Sequence, residues 1–201
     1  MIATMAKEIE ELLLEKIEPD LWGYLQEHKW INGATDDDIQ SFEEEWGVKL
    51  PENFKALYRY RDGGYEGSDT RPFNFLYTSY RTGCVAPFCM LSLDRMWEGK
   101  VDSYAFDDKM MKDDDFYTEK DIEKLDKRIK PFISNDKWFP FAYSDSLLLM
   151  LDFDPSEEGT YGQIIAYVHD PDFIYYVCKD IKELLQDTIN NLKKADFVMW
   201  T

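Results

Sequence analysis

Histidine, cysteine and positive charge are all in short supply in this 201-residue chain. His28 and His169 are the only two side chains of their kind, so proton transfer near neutral pH has few candidates. Cys84, Cys89 and Cys178 are odd in number and follow neither a disulfide nor a metal-ligand spacing. They read as small buried hydrophobes in a reducing compartment. No Gly-x-Ser-x-Gly elbow occurs, and Gly63-Gly64-Tyr65-Glu66-Gly67 lacks the lysine and helix of a phosphate-binding loop. The densest aliphatic run, Leu147 to Leu151, is far shorter than the roughly 20 residues that cross a bilayer. Met1 to Glu10 shows no basic stretch followed by an apolar one, which points to the cytoplasm. With 23 Lys and Arg against 41 Asp and Glu, the net charge of −18 repels nucleic acid and anionic membranes.

What is present is apolar residues at 44% and aromatic residues at 16%, enough for a substantial core. Acid is concentrated at both ends, −8 in residues 1–60 and −7 in residues 131–201. Ile9, Leu12, Leu13 and Ile17 recur at helical spacing, and Pro19 opens a second short helix with Leu21, Trp22 and Leu25. Residues 1–29 are therefore expected to form a helical extension. Thr35 before Asp36, Asp37 and Asp38 predicts an N-cap, with Ile39, Phe42 and Trp46 on one face and Gly47 as the stop. Pro51 starts a further helix bearing Phe54, Leu57 and Tyr58, and Asp62-Gly63-Gly64 ends it.

Strands and loops are expected between Tyr65 and Phe88, and a helix from Ser92 to Tyr104. A charged insertion at about 102–130 carries only the narrow stripe Ile122, Leu125 and Ile129, the pattern of a solvated helix or a mobile insertion rather than of core. Four strands follow, Trp138–Tyr143, Leu147–Phe153, Gln163–Val168 and Phe173–Cys178, separated by turns too short for parallel crossovers. Asp180 and Glu183 then cap an amphipathic helix through Ile181, Leu184, Leu185, Ile189 and Leu192. The prediction is an α+β fold: a mainly antiparallel central sheet surrounded by helices, one domain over residues 30–201.

Asp152, Asp154, His169, Asp170 and Asp172 bear oxygen and imidazole ligands at strand ends. Asp-Pro pairs initiate turns, however, and Glu157 stands where a calcium loop from Asp152 needs glycine. Neither a metal nor a cofactor is expected.

Ala34-Thr35-Asp36-Asp37-Asp38-Ile39, Phe42-Glu43, Trp46-Gly47-Val48-Lys49-Leu50-Pro51 and Tyr58 to Gly64 resemble the opening of the SUKH superfamily. Trp138-Phe139-Pro140-Phe141-Ala142, Leu151-Asp152-Phe153-Asp154-Pro155, Gly159 and Gly162-Gln163-Ile164-Ile165 resemble its later strands. The likeness spans about residues 30–192, and residues 66–130 match no part of it. It implies a protein-binding role without catalysis, either as a bacterial immunity protein that neutralises a toxin, such as a nuclease with a basic surface, or as a regulatory scaffold of the yeast cell-wall-synthesis type. The matched polar residues Asp62, Asp145, Asp152, Asp154 and Gln163, with Trp138 as aromatic anchor, are the expected partner-binding set, and the expected partner is a basic protein.

Overall fold

A computed structural model describes residues 1–16, 31–64, 74–81, 84–97, 100, 108–169 and 172–196. Three helices lead: α1 (Ile2–Lys16), α2 (Asp36–Trp46) and α3 (Glu52–Tyr60). Strands β1 (Asn74–Arg81) and β2 (Cys84–Met90) precede a 3-10 turn at Leu93–Arg95. Next come β3 (Lys109–Met110), a 3-10 turn at Met111–Asp113, α4 (Glu119–Lys124) and β4 (Phe132–Ser134). The chain continues through β5 (Trp138–Ser144), β6 (Leu147–Asp152), β7 (Gln163–Val168), β8 (Phe173–Cys178) and α5 (Ile181–Lys194). Six strands form one sheet in the order β1-β2-β5-β6-β7-β8, every neighbouring pair antiparallel, while β3 and β4 pair separately. This is a single α+β domain, and among the described residues no helix is long and apolar enough to cross a membrane.

Both faces of the sheet are covered, which is why its central strands read as continuous apolar runs instead of alternating ones. Successive side chains point to opposite faces. Phe139 and Phe141, Leu149 and Leu151, Ile164 and Ala166 therefore enter the larger core, while Trp138, Met150 and Ile165 enter a smaller one behind it. Helices α1, α2, α3 and α5 close the larger core. Met111, Leu125 and Ile129 close the smaller one. The described part of the charged insertion, 108–130, is thus not merely solvated: its few apolar residues lid the back of the sheet, with its charged side chains exposed or half-buried around them.

The N-terminal helix is likewise built in. Ile2, Met5, Ala6, Ile9 and Leu13 are buried in the larger core, and α1 packs on α3 and α5. Lys16 Nζ donates to the Ala195 carbonyl at 2.5 Å, and Lys193 pairs with Glu8 at 2.6 Å. The second helix expected from Pro19, with Leu21, Trp22, Leu25 and His28, lies outside the described residues, as does the end of the helix expected over 92–104. Within that stretch the chain makes the 3-10 turn and continues helically through Met96 and Trp97.

Local chemistry accounts for the helix ends. Thr35 and Asp38 form a reciprocal capping box, and Gly47 takes the left-handed conformation, φ 61°, that closes α2. Glu43, buried near the end of α2, accepts from Leu50 N at 2.8 Å and from Lys55 Nζ at 2.9 Å, which fixes the loop into α3. Burial raises its carboxyl pKa, but the bonds from Lys55, Lys49 and Leu50 outweigh that and hold it below the ordinary value. Asp180 caps α5 by accepting from Lys182 N and Glu183 N, while Glu183 reaches back to Lys179 N. In β5, Pro140 sits in a central strand beside a register shift that leaves Phe141 as the extra residue, the place where a strand tolerates proline.

The edge strand β1 is managed by α5. Tyr77 N donates to Thr188 Oγ1 at 3.2 Å and Ser79 N to Asp187 Oδ2 at 3.1 Å, while Asn191 Nδ2 donates to the Tyr77 carbonyl at 3.0 Å. Helix side chains thereby satisfy backbone groups that a neighbouring strand would otherwise take.

Candidate docking site

The six residues singled out in the sequence do not converge on one surface. Three lie inside the protein. Trp138 is 1% exposed and edge-on to Phe132, and its indole N–H donates to Asp152 Oδ1 at 3.1 Å. A ring enclosed this way is a core residue, so Trp138 is not the aromatic anchor. Asp152 and Gln163 are both fully buried, with Gln163 Nε2 donating to Asp152 Oδ2 at 2.9 Å. Gln163 also donates to the Arg128 carbonyl and accepts from Thr160 N. The trio ties three strands to the insertion, and its accessible polarity is nil.

The other three residues are on loops. Asp145 is exposed in the β5–β6 turn with φ 35°, a left-handed conformation that aspartate tolerates better than most residues. Asp154 is half-buried and already committed to Lys130 and to Asn135 Nδ2. Asp62 follows α3, and its Oδ1 accepts from Leu93 N at 2.9 Å. Burial drives its carboxyl pKa up to about 6, with the negative Asp94 and Asp38 adding to the rise and the Leu93 N–H opposing it.

The metal reading fares no better. His169 Nδ1 lies 2.7 Å from Asp172 Oδ1, but Asp152 is buried in its own network and Asp154 is held elsewhere. Among the described residues no group of three or more His, Cys, Asp or Glu is arranged to hold an ion. Asp170 lies outside the described residues. Burial pushes the Cys178 thiol well up, the opposite of an activated thiolate.

The geometry offers a groove of about 360 Å³ between α2 and the 3-10 turn. Its rim carries Asp38, Glu45 and Asp94 and its walls carry Trp46 and Trp97; among the described residues no lysine or arginine lines it, while the buried Lys100 ammonium lies 5.9 Å from the Trp46 ring centre. Trp46 is half-buried, held edge-on to Phe139 with ring centres 5.6 Å apart, so its position is set by the core. Trp97 is 48% exposed. Asp38 is fixed by its capping bonds to Thr35, and Asp62 lies close enough to this rim for Asp38 and Asp94 to act on its proton. Indole faces between carboxylates attract ammonium and guanidinium groups, since ring quadrupole and negative charge act in the same direction. Sequence reading missed this groove because Asp38 has a sufficient local role as a helix cap, and because Asp94 and Trp97 belong to a different segment that folding brings beside α2.

Comparison with curated proteins gives no match. The family model described as SMI1 / KNR4 family (SUKH-1) matches residues 33–187. That span begins just before α2 and runs into α5, taking in the groove, the buried trio and the whole six-stranded sheet. The chain belongs to the SMI1 / KNR4 family, SUKH-1.

Proposed function

We propose that this chain is a cytosolic immunity protein, a binding protein without catalysis that neutralises a toxin by covering its basic surface. Domains of this family act as immunity or regulatory modules that bind partner proteins. The observation that carries the finer reading is the groove in which the exposed Trp97 and the half-buried Trp46 stand beside Asp38, Glu45 and Asp94, with no basic liner among the described residues, on a chain of net charge −18. A long-range negative field draws a cationic partner in, and the indoles supply the desolvated contact that holds it.

The partner to test is the toxin-like C-terminal domain of a secreted protein encoded beside this chain. Co-expression is expected to protect cells, and a stable complex is expected at low salt. Raising salt from 50 to 500 mM shortens the screening length from roughly 14 to 4 Å, so association should slow by tenfold or more while dissociation changes less. Trp97→Ala removes a half-exposed ring and leaves the core intact. It is expected to speed dissociation and weaken the complex by about 2 kcal/mol. A complex that forms without protecting cells favours a regulatory scaffold, and a complex indifferent to both salt and Trp97 removes the groove from the reading.

A further inference from the structure

The two edges of the six-stranded sheet are treated differently. On β1, Asp187, Thr188 and Asn191 of α5 occupy the outward backbone groups. On β8, no side chain or loop among the described residues hydrogen-bonds to the outward backbone of Phe173–Val177. β1 lies against part of this edge without pairing to it, and where no backbone partner reaches it among the described residues the edge is a template for another extended chain. Past Ser79 the seam between β1 and β8 opens into a cavity of about 940 Å³ that runs along this edge. Rings line it from both sides of the strand: Tyr80 and Tyr175 from the larger core, Phe173 and Tyr176 from the smaller, and Phe116 and Tyr117 from the insertion. Phe116 is 68% exposed at its lip, edge-on to Tyr117 with ring centres 5.4 Å apart.

We infer that the β8 edge docks an extended segment of a cationic protein, added to the sheet as a seventh strand. The backbone of β8 supplies the hydrogen bonds and the aromatic walls take alternate side chains, including the aliphatic stems of lysine or arginine. The walls are close to neutral: Lys124 is paired with Asp121 at 2.8 Å, Arg128 with Asp126 at 2.7 Å, and Asp172 with His169 at 2.7 Å. Arg81 lies over the Tyr80 ring and bonds Cys84 and Tyr175, which leaves its positive charge on the β1 side of the cavity. Selection among extended segments therefore falls to the field of the whole chain. At −18 that field opposes a second copy and favours a cationic partner. The inference rests on the reading that the partner is a basic protein, and it adds a second contact surface to the groove at Trp97.

The test uses the full chain and two end-blocked heptapeptides, one alternating lysine with valine and one alternating glutamate with valine, followed by amide chemical shifts and amide hydrogen exchange. The lysine peptide is expected to shift the amides of Phe173–Tyr176 and to protect those of them that point away from β7 at millimolar concentration, and the glutamate peptide to leave them unchanged. Phe116→Ala should weaken the lysine peptide severalfold, and Arg81→Glu should strengthen it about threefold. Both side chains are exposed, and folding of the variants is checked by the same spectra. Unperturbed β8 amides, tighter binding of the glutamate peptide, or a concentration-dependent dimer with protected β8 would each overturn the inference. If the toxin complex forms while β8 stays open to exchange, this inference fails and the immunity reading stands. If no toxin complex forms while the lysine peptide occupies β8, the reverse holds.

Discussion

Replacing Asp152 by alanine is expected to destabilise the fold by roughly 3 to 5 kcal/mol, because it removes the acceptor that three donors share. The Trp138 indole N–H, the Asp154 amide and the Gln163 side-chain amide all end on this one carboxylate, which has no exposed surface. Urea unfolding would read the loss directly as a lowered midpoint. Asp152→Asn keeps the shape and one oxygen, but sets an NH2 group against Gln163 Nε2, whose amide is held in place by Thr160 N on its other atom. A smaller loss, about 1 to 2 kcal/mol, is expected from it.

The pair of variants also separates a pH effect. Burial raises the Asp152 carboxyl pKa to about 6 from an ordinary 3.8, against the pull of its three donors. The folded state therefore binds this proton more tightly than the unfolded state. Folding takes up a proton between about pH 4 and 6, so stability falls as pH rises through that window and levels off above it, by an amount on the order of 1 to 3 kcal/mol. Asp62, also raised to about 6 by burial, acts in the same direction. Wild type should exceed Asp152→Asn by the widest margin near pH 4 and by the narrowest above pH 6. Parallel pH profiles would show that Asp152 titrates alike in both states.

Leu185→Ala is the second large effect, an expected loss of about 2 to 5 kcal/mol from a fully buried position on α5. The spread reflects how far the surroundings collapse into the space. Leu185 belongs to the same cluster as Ile9, Phe54 and Leu149, so the cavity opens where helices of both chain ends meet the sheet. A lower urea midpoint with an unchanged slope would confirm a simple packing loss. Retention of wild-type stability would mean that α5 does not bear on the core as described.

The elements legible in the sequence are those whose periodicity and punctuation agree. Both Gln163–Val168 and Phe173–Cys178 are strands with the expected limits, and Thr35, Gly47 and Asp180 mark helix ends as their chemistry requires. Leu149, Ile165 and Leu185 are buried as that pattern implies, whereas Trp46 is only half-buried because one side of its ring faces the groove. Long-range packing was not legible. Leu125 and Ile129 look like a thin stripe until the back face of the sheet is seen to need only a few apolar residues to close it. The same limit applied to Trp138: only register places it opposite Asp152, where the indole finds an acceptor and becomes core. Nor does a sequence reveal that Asp38, Asp94 and Trp97 share a rim, since their proximity depends on α2 packing against the 3-10 turn.

Closure of the β1 edge by α5 has a consequence for synthesis on the ribosome. β1 and β2 emerge about a hundred residues before Asp187, Thr188 and Asn191, so throughout that interval the edge amides of Tyr77 and Ser79 have no helix to bond. α1 waits longer still, because much of its packing is against α5. The nascent chain thus carries an open strand edge and an unshielded amphipathic helix until residues 181–194 leave the exit tunnel. Pairings this distant slow folding and expose intermediates to aggregation. Ribosome-stalled chains ending before residue 180 should accordingly engage chaperones, and release from them should coincide with the emergence of α5.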